Sequence, residues 1–598
     1  MKTDMFNDLK LQQFIKTNYL LIGAVITAFI LRFFKYSTLP LPPNGDELAF
    51  GYYGWSILHF GIDEFGNRFP ISFISIGDFK YPGLVYLNTI PALFFGLSEL
   101  TVRFWNIISG VLLVLLVYNI SLLFFKNKTS AIASSWFIAL SPWSIIESRY
   151  GWENHISMVI TTLGIYLLLF SLSKVKFKPK ILIVVTVIFI FSTFTYGAQR
   201  IFIPAFLISL ICILLLKSFK ISNQHKQLFL ILLAVSIFIL IPSLSNKNRG
   251  RIKEEIWQIT AQDTNRLQEL YVGAGTSPIR IPARITWFFH NKYRVAFTEF
   301  LMRYTNHFSP NFLFFYGEAS NEKIPDMGLL SYYDILFLPI GLITLFKSTK
   351  KTDHILILLC WLFLAPVASS VTSGGPHINR STLMIPPLAI ISGWGFYTLT
   401  TIFKKREILI AIPLVIIVIV NSLYSLNQIF IQKPLDKPWI KEQVYKSVVL
   451  DVLNLKSNYK AVAVGDNDYI YFLFYGGINP KDFIKNSDIN PLSDSNIWER
   501  VNRFDNIYFK MPFNCPKSGK LDVLYVCSGG EVPQNSKILK TYYFLDGAPA
   551  YTLLEFYPLS DLPKELPELP KDIYYMVDVE NSTNFPDGII PKDYPSLW

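Results

Sequence analysis

Long apolar runs, nearly free of charge, recur from Tyr19 to Phe430, and no soluble core needs so many of them. They are Tyr19–Phe34, Phe104–Phe125, Thr129–Pro142, His155–Ser173, Ile181–Tyr196, Ile201–Leu216, Leu228–Ser245, Tyr332–Phe346, Ile355–Val371, Ser381–Phe403 and Ile408–Phe430. Each reads as a membrane helix by length and apolarity. Composition agrees: 51% of the chain is hydrophobic and only 16% is charged, against about 25% in soluble domains. With 598 residues the surplus is not one buried core, because single cores stop growing near ~250–300 residues. The apolar mass must face lipid, which excludes a soluble enzyme, a secreted disulfide scaffold and a disordered chain. Four cysteines exclude a disulfide framework or a cysteine-rich metal site. The net charge of +12 fits Lys- and Arg-rich cytoplasmic loops rather than a nucleic-acid partner.

Charge placement orients the chain. One set of short loops carries Lys126 and Lys128; Lys174, Lys176, Lys178 and Lys180; Lys217, Lys220 and Lys226; Lys347, Lys350 and Lys351; and Lys404, Lys405 and Arg406. With the basic N-terminus, these loops are cytoplasmic. The run Tyr81–Leu97 is short and holds Pro82 and Pro91. If it crossed, the N-terminus and the basic loops would lie on opposite sides, so it reads as an interfacial or re-entrant helix on the outer face. The expectation is a polytopic α-helical membrane protein of eleven spans in the plasma membrane, with outer loops 35–102 and 246–331. Residues 1–430 form the membrane domain, and 431–598 an extracytoplasmic mixed α/β domain. In the latter, Trp439–Lys456 has helical spacing, and Ala461–Gly465, Asn506–Lys510, Leu521–Cys527 and Thr541–Phe556 have strand character. Cys515 and Cys527 both lie there, where a disulfide is chemically allowed.

Charged side chains cluster on the outer face and are scarce inside the spans, the reverse of what a transporter needs. Beyond the first helix stands Pro42-Pro43-Asn44-Gly45-Asp46-Glu47. Adjacent carboxylates near a membrane suit general-base work or a divalent cation. The plainer alternative is Asp46 as the N-cap of an aromatic helix over Leu48–Phe60. Lys80, just before the interfacial helix, can meet a lipid phosphate or simply snorkel to headgroups. The short outer loops 144–154, 197–200 and 372–380 each hold a single basic residue, and it is always arginine: Arg149, Arg200 and Arg380. Guanidinium forks match phosphate oxygens, so three in a row suggest a shared anion, with capping or a carboxylate partner as the alternative for each. Glu153 and His377 are further polar candidates. There is no G-x-x-x-x-G-K-[ST] and no H-E-x-x-H.

Together these pieces resemble the GT-C glycosyltransferases of the protein O-mannosyltransferase and aminoarabinose-transferase type. The resemblance rests on Asp46-Glu47 after the first helix, the Gly61…Arg68 turn, Lys80-Tyr81-Pro82, Arg103, Ser141-Pro142…Arg149…Glu153, Tyr196…Arg200…Pro204 and His377…Arg380…Pro386. The stretch His307–Phe314 and Tyr469…Asn479-Pro480 add to it. It implies a sugar donor on a polyprenyl phosphate and inverting transfer outside the cytoplasm. Asp46 would be the base that deprotonates the acceptor hydroxyl, with Glu47 orienting the acceptor or supporting Asp46. Lys80, Arg149, Arg200 and Arg380 would hold the lipid phosphate, with Tyr81, Glu153 and His377 nearby. Some members place a divalent cation beside the acidic pair. Loop 246–331 is too short for the sugar-binding trefoil of eukaryotic members, so the acceptor is open between protein, lipid and polysaccharide. Two rival readings stand beside this one: a polysaccharide ligase or polymerase using a lipid-linked glycan, resting on loop 246–331, and a lipid or solute transporter.

Overall fold

The computed structural model describes residues 2–75, 78–173, 179–216, 234, 261–276, 282–318, 323–347, 352–402, 407–465, 468–491, 500–509, 515–558 and 572–575. The helices to Leu216 are α1 Lys2–Phe33, α2 Gly45–Phe60, α3 Pro82–Phe95, α4 Glu99–Phe125, α5 Lys128–Leu140, α6 Pro142–Glu147, α7 Glu153–Leu172, α8 Pro179–Thr195 and α9 Gln199–Leu216. Then come α10 Ala261–Thr276, α11 Ala283–Phe289, α12 Lys292–Asn306, α13 Asp334–Lys347, α14 Thr352–Leu364, α15 Val367–Ser370, α16 Ile385–Ile402, α17 Glu407–Asn427, α18 Glu442–Leu455 and α19 Tyr469–Gly476. The chain divides into two compact units. One is 1–34 with 105–432, and the other is 35–104 with 433–598, so both are discontinuous in sequence.

The first unit is helical. Among the described residues of the whole chain, five stretches are long and apolar enough to cross a membrane: Glu99–Phe125, Glu153–Leu172, Asp353–Ser370, Asn379–Ile402 and Glu407–Asp436. Shorter apolar helices include Asn18–Phe33, Lys180–Thr195 and Gln199–Leu215. The expected span Leu228–Ser245 lies, apart from residue 234, outside the described residues; every other expected run is helical over most of its length. Two runs are broken. Thr129–Pro142 ends at Ser141, whose side chain accepts from Ser144 N and starts α6 with Pro142 in its first turn. Ser381–Phe403 opens with a 3₁₀ turn over Asn379–Met384 before α16 begins.

Helix packing in this unit relies on missing side chains. A Cβ on Gly341 of α13 would sit 2.2 Å from Ile391 O, and one on Gly395 of α16 would sit 2.0 Å from Phe337 O. Gly393 faces α5, where a Cβ would meet Ser134 Oγ at 2.2 Å. Small residues let helix backbones approach where apolar burial gives no net drive between helices.

The second unit combines residues 35–104 with the C-terminal segment. Strands β1 Phe73–Ser75 and β2 Asp78–Lys80 form a small antiparallel pair. The larger sheet comprises β3 Ala461–Val464, β4 Ser487–Ile489, β5 Val501–Phe504, β6 Ile507–Tyr508, β7 Val523–Ser528, β9 Ser536–Tyr543 and β10 Pro549–Phe556, in the order β4-β5-β6-β3-β7-β10-β9. Outside it, β8 Glu531–Val532 pairs with β11 Tyr574–Tyr575. The strand β3 runs parallel to both neighbours and is buried throughout, as a strand covered on both faces should be. The run Thr541–Phe556, read above as one strand, belongs to two: β9 and β10 pair antiparallel across a turn at Asp546-Gly547. Gly547 there has φ +85°, and the Asp546 carboxylate accepts from Ala548 N. Cys515 and Cys527 are joined in a disulfide within this unit.

Helix α2 packs between α3 and α19. Its glycines set the spacing: a Cβ on Gly54 would lie 2.7 Å from Asn88 Cβ of α3, and one on Gly51 would lie 3.0 Å from the Phe474 ring of α19. The N-terminus of α2 is closed by a full capping box. The Asn44 side chain accepts from Glu47 N, and Glu47 Oε1 accepts from Asn44 N. The helix thus begins at Gly45, not Leu48, and its cap is Asn44, not Asp46.

Candidate active site

The two adjacent carboxylates of the second unit have different fates. Glu47 is fully buried. Its Oε2 accepts from Arg103 Nε and its Oε1 from Arg103 Nη2, both at 2.9 Å. Arg103 Nη1 donates to Tyr36 O and Leu41 O, so one guanidinium ties the segment before α2 to the first turn of that helix. Asp46, one residue earlier, keeps 52% of its side chain exposed. Its Oδ1 accepts from Lys80 Nζ at 2.6 Å, and Lys80 also stands 3.5 Å from Asp78. Lys80 is only 5% exposed and lies over the Phe50 ring, so it does not snorkel into water. Tyr81, the next residue, is the N-cap of α3 and contributes backbone geometry there, with Pro82 in the first turn. A carboxylate open to solvent and an ammonium group are therefore held together beside the first turn of α2.

The same unit contains a buried carboxyl that the sequence reading passed over. Glu64 follows the chain reversal at Gly61 and is fully buried. Its Oε1 accepts from Tyr53 Oη of α2 at 2.9 Å and from Tyr469 Oη of α19 at 2.7 Å. Burial, outweighing these two bonds, pushes its pKa up from the ordinary carboxyl range to about 8. The signal available in sequence was an acidic side chain inside an otherwise turn-like Gly61–Arg68 stretch.

The remaining candidates belong to the first unit. Arg149 is fully buried. Its Nη1 donates to Leu31 O and its Nη2 to Phe34 O at the end of α1, and the guanidinium lies over the Phe430 ring. Arg200, in the first turn of α9, donates from Nε to Thr193 O. Arg380 sits half-buried in the 3₁₀ turn, where its Nη1 is buried with no hydrogen-bond partner among the described residues. Glu153 begins α7 and is nearly buried. His377 Nδ1 is 2.9 Å from Glu318 Oε1 and its Nε2 is 2.7 Å from Ser373 O, while Ile378 N donates to Glu318 Oε2. Loops 144–154 and 372–380 meet at the buried Glu147, which bonds to Asn154. The Asn379 amide, oriented to donate, also reaches Glu147 Oε1 at 3.0 Å. His307, in the stretch quoted for the resemblance, lies between Arg303 O and Ser369 Oγ, and burial lowers its pKa to about 4.

A divalent ion does not fit the acidic pair. Both Glu47 oxygens are engaged by Arg103, and the Lys80 ammonium stands beside Asp46 where a cation would bind. Among the described residues, no three His, Cys, Asp or Glu side chains form a group able to hold a metal.

No protein-family model and no curated protein matches the sequence. Among solved structures, the chain is similar to ArnT from Cupriavidus metallidurans bound to undecaprenyl phosphate, with 12% identity and a TM-score of 0.46 over 90% of this chain and 98% of that one. It is similar also to the Archaeoglobus fulgidus oligosaccharyltransferase in complex with Zn and sulfate, with 14% identity and a TM-score of 0.47 over 76% of this chain. A third similar structure is that archaeon's AglB in complex with an inhibitory peptide and a dolichol-phosphate, with 13% identity and a TM-score of 0.46 over 77% of this chain. The match spans 61% and 64% of the length of the two archaeal structures. Both AglB and ArnT are glycosyltransferases of the GT-C fold, the family that the sequence motifs resemble.

Proposed function

We propose that this protein transfers a sugar from a polyprenyl-phosphate-linked donor to an acceptor on the outer face of the membrane, with inversion and with Asp46 as general base. The observation that carries the reading is the Asp46–Lys80 pair. An accessible carboxylate can take the acceptor's proton, and a neighbouring ammonium can stabilise the charge that grows on the departing phosphate. Glu47 supports Asp46 by fixing the first turn of α2 through Arg103. The disulfide between Cys515 and Cys527 favours an oxidising compartment for the unit that holds Asp46. Arg149, Arg200 and Arg380 are the accompanying donor-phosphate candidates; Arg149 already serves the end of α1.

The test uses purified protein and a radiolabelled polyprenyl-phosphate sugar, with release of polyprenyl phosphate as the readout. Asp46→Asn keeps the side chain's shape and disturbs no cap, since the cap is Asn44. Transfer should fall about 10²–10⁴-fold, the usual worth of a general base, with folding intact. Near-normal transfer by that variant rejects Asp46 as the base. Lys80→Gln should instead weaken donor use. A protein that moves the lipid without releasing polyprenyl phosphate is a transporter.

A further inference from the structure

The Glu64 carboxyl is the only described group that accepts from both Tyr53 and Tyr469, which come from the loop half and the C-terminal half of one compact unit. Both hydroxyls bond to the same oxygen, Oε1, while Oε2 is buried with no hydrogen-bond partner among the described residues. Among the described residues, the groups facing it are few. Tyr53 and Tyr52 come from α2 and Tyr469 from α19; Asp63 is its chain neighbour; and Arg500 of the C-terminal segment lies 4.0 Å over the Phe65 ring. Asp63 is satisfied within the turn by Phe65 N, Asn67 N and Asn67 Nδ2. A neutral acid tolerates this setting, because an unpartnered buried hydroxyl costs far less than an unpartnered buried charge. An ionised Glu64 would strand a charge at Oε2, a cost that is relieved when α19 draws back from α2 and admits water.

What α19 touches gives this consequence. Tyr471 of α19 lies against Gly45, where a Cβ would stand 3.3 Å from its ring, and Gly45 directly precedes Asp46. The buried Tyr471 hydroxyl has no hydrogen-bond partner among the described residues. At the start of the same helix, Asp468 pairs with Lys441 at 2.6 Å. Movement of α19 therefore changes the wall beside the first turn of α2.

We infer that Glu64 is a positioning residue: as the neutral acid it ties α19 to α2 and holds the C-terminal segment against the helix that carries Asp46, and on ionisation it releases that segment. This rests on the transferase reading only for its effect on transfer; the tie itself is a property of the folded chain.

Purified full-length protein in lipid nanodiscs and its Glu64→Gln variant are compared from pH 5 to pH 9. Hydrogen exchange is followed over Tyr469–Gly476, and transfer is assayed across the same range. Gln keeps the oxygen that accepts from both tyrosines and cannot ionise. Relative to the variant at each pH, the wild type should lose protection of these amides by about tenfold or more as pH rises through 8, and its transfer rate should show an alkaline fall that the variant lacks. Parallel exchange profiles overturn the tie, and an alkaline limb that Glu64→Gln leaves unchanged overturns its role in positioning. If Glu64→Gln does not fold, Tyr469→Phe replaces it: α19 should then be poorly protected at every pH, and a retained wild-type pH step refutes the inference. Exchange does not depend on turnover. A lost tie with Asp46→Asn still inactive sinks only this inference, and an intact tie with Asp46→Asn fully active sinks only the transferase reading.

Discussion

Arg103 and Glu47 are each wholly buried and bond to one another and to the backbone groups Tyr36 O, Leu41 O and Asn44 N. Such a pair need not add net stability, but breaking it strands a charge. Arg103→Met should therefore destabilise the protein by about 3–5 kcal/mol, and Glu47→Gln in the same chain should restore part of the loss. Denaturation of the single and double variants checks this; equal stability of Arg103→Met and wild type would contradict it. Glu64 imposes a pH dependence whose sign is fixed by its raised pKa. Between the ordinary carboxyl value of 4.5 and about 8, the folded chain keeps a proton that the unfolded chain has lost. Its contribution is thus most favourable below about 4.5, weakens as pH rises and is fully lost above about 8. Thermal midpoints of wild type and Glu64→Gln should converge toward the acid end and separate toward the alkaline end.

At the scale of elements, the apolar helices were legible because length and lack of charge are local properties of sequence. Their breaks were not. Ser141-Pro142 ends one helix and starts another, and the choice between a kink and a restart is made by Ser141 accepting from Ser144 N. The β9–β10 turn was hidden because Asp546-Gly547 sits inside an otherwise strand-like run. In the site, Asp46 and Lys80 were recognisable as residue types near a membrane surface, but their pairing, and that of Glu47 with Arg103, depends on how loop 35–104 closes. Glu64 was invisible as a tie because its partner Tyr469 is 405 residues away. The close helix crossings make their own prediction. Gly395→Leu should force α16 off α13, because even a Cβ would stand 2.0 Å from Phe337 O. A lower thermal midpoint in detergent is expected, while the second unit's disulfide and sheet stay intact; an unchanged midpoint would contradict the close approach.

For the molecule as a whole, loop 35–104 folds with the C-terminal segment rather than as an appendage of the helices that flank it. A chain ending at residue 432 should therefore lose more than a peripheral domain. It would leave Tyr53 and Glu64 without Tyr469, and uncover the face of α2 that meets Phe474. Limited proteolysis should cut such a chain around 61–69 faster than the full-length protein; equal rates would mean that the loop stands alone.

This interleaving also sets an order of assembly during synthesis. About 330 residues separate the loop from the segment that completes it. At ~5–20 residues per second, the ribosome takes roughly 20–60 s to cover them. The Glu47–Arg103 pair spans only 56 residues and can close early. The Tyr53 and Glu64 end of α2 has to wait for Tyr469, so the newborn loop passes through a half-made state in which the first turn of α2 is already formed and the face that steadies it has not yet been translated.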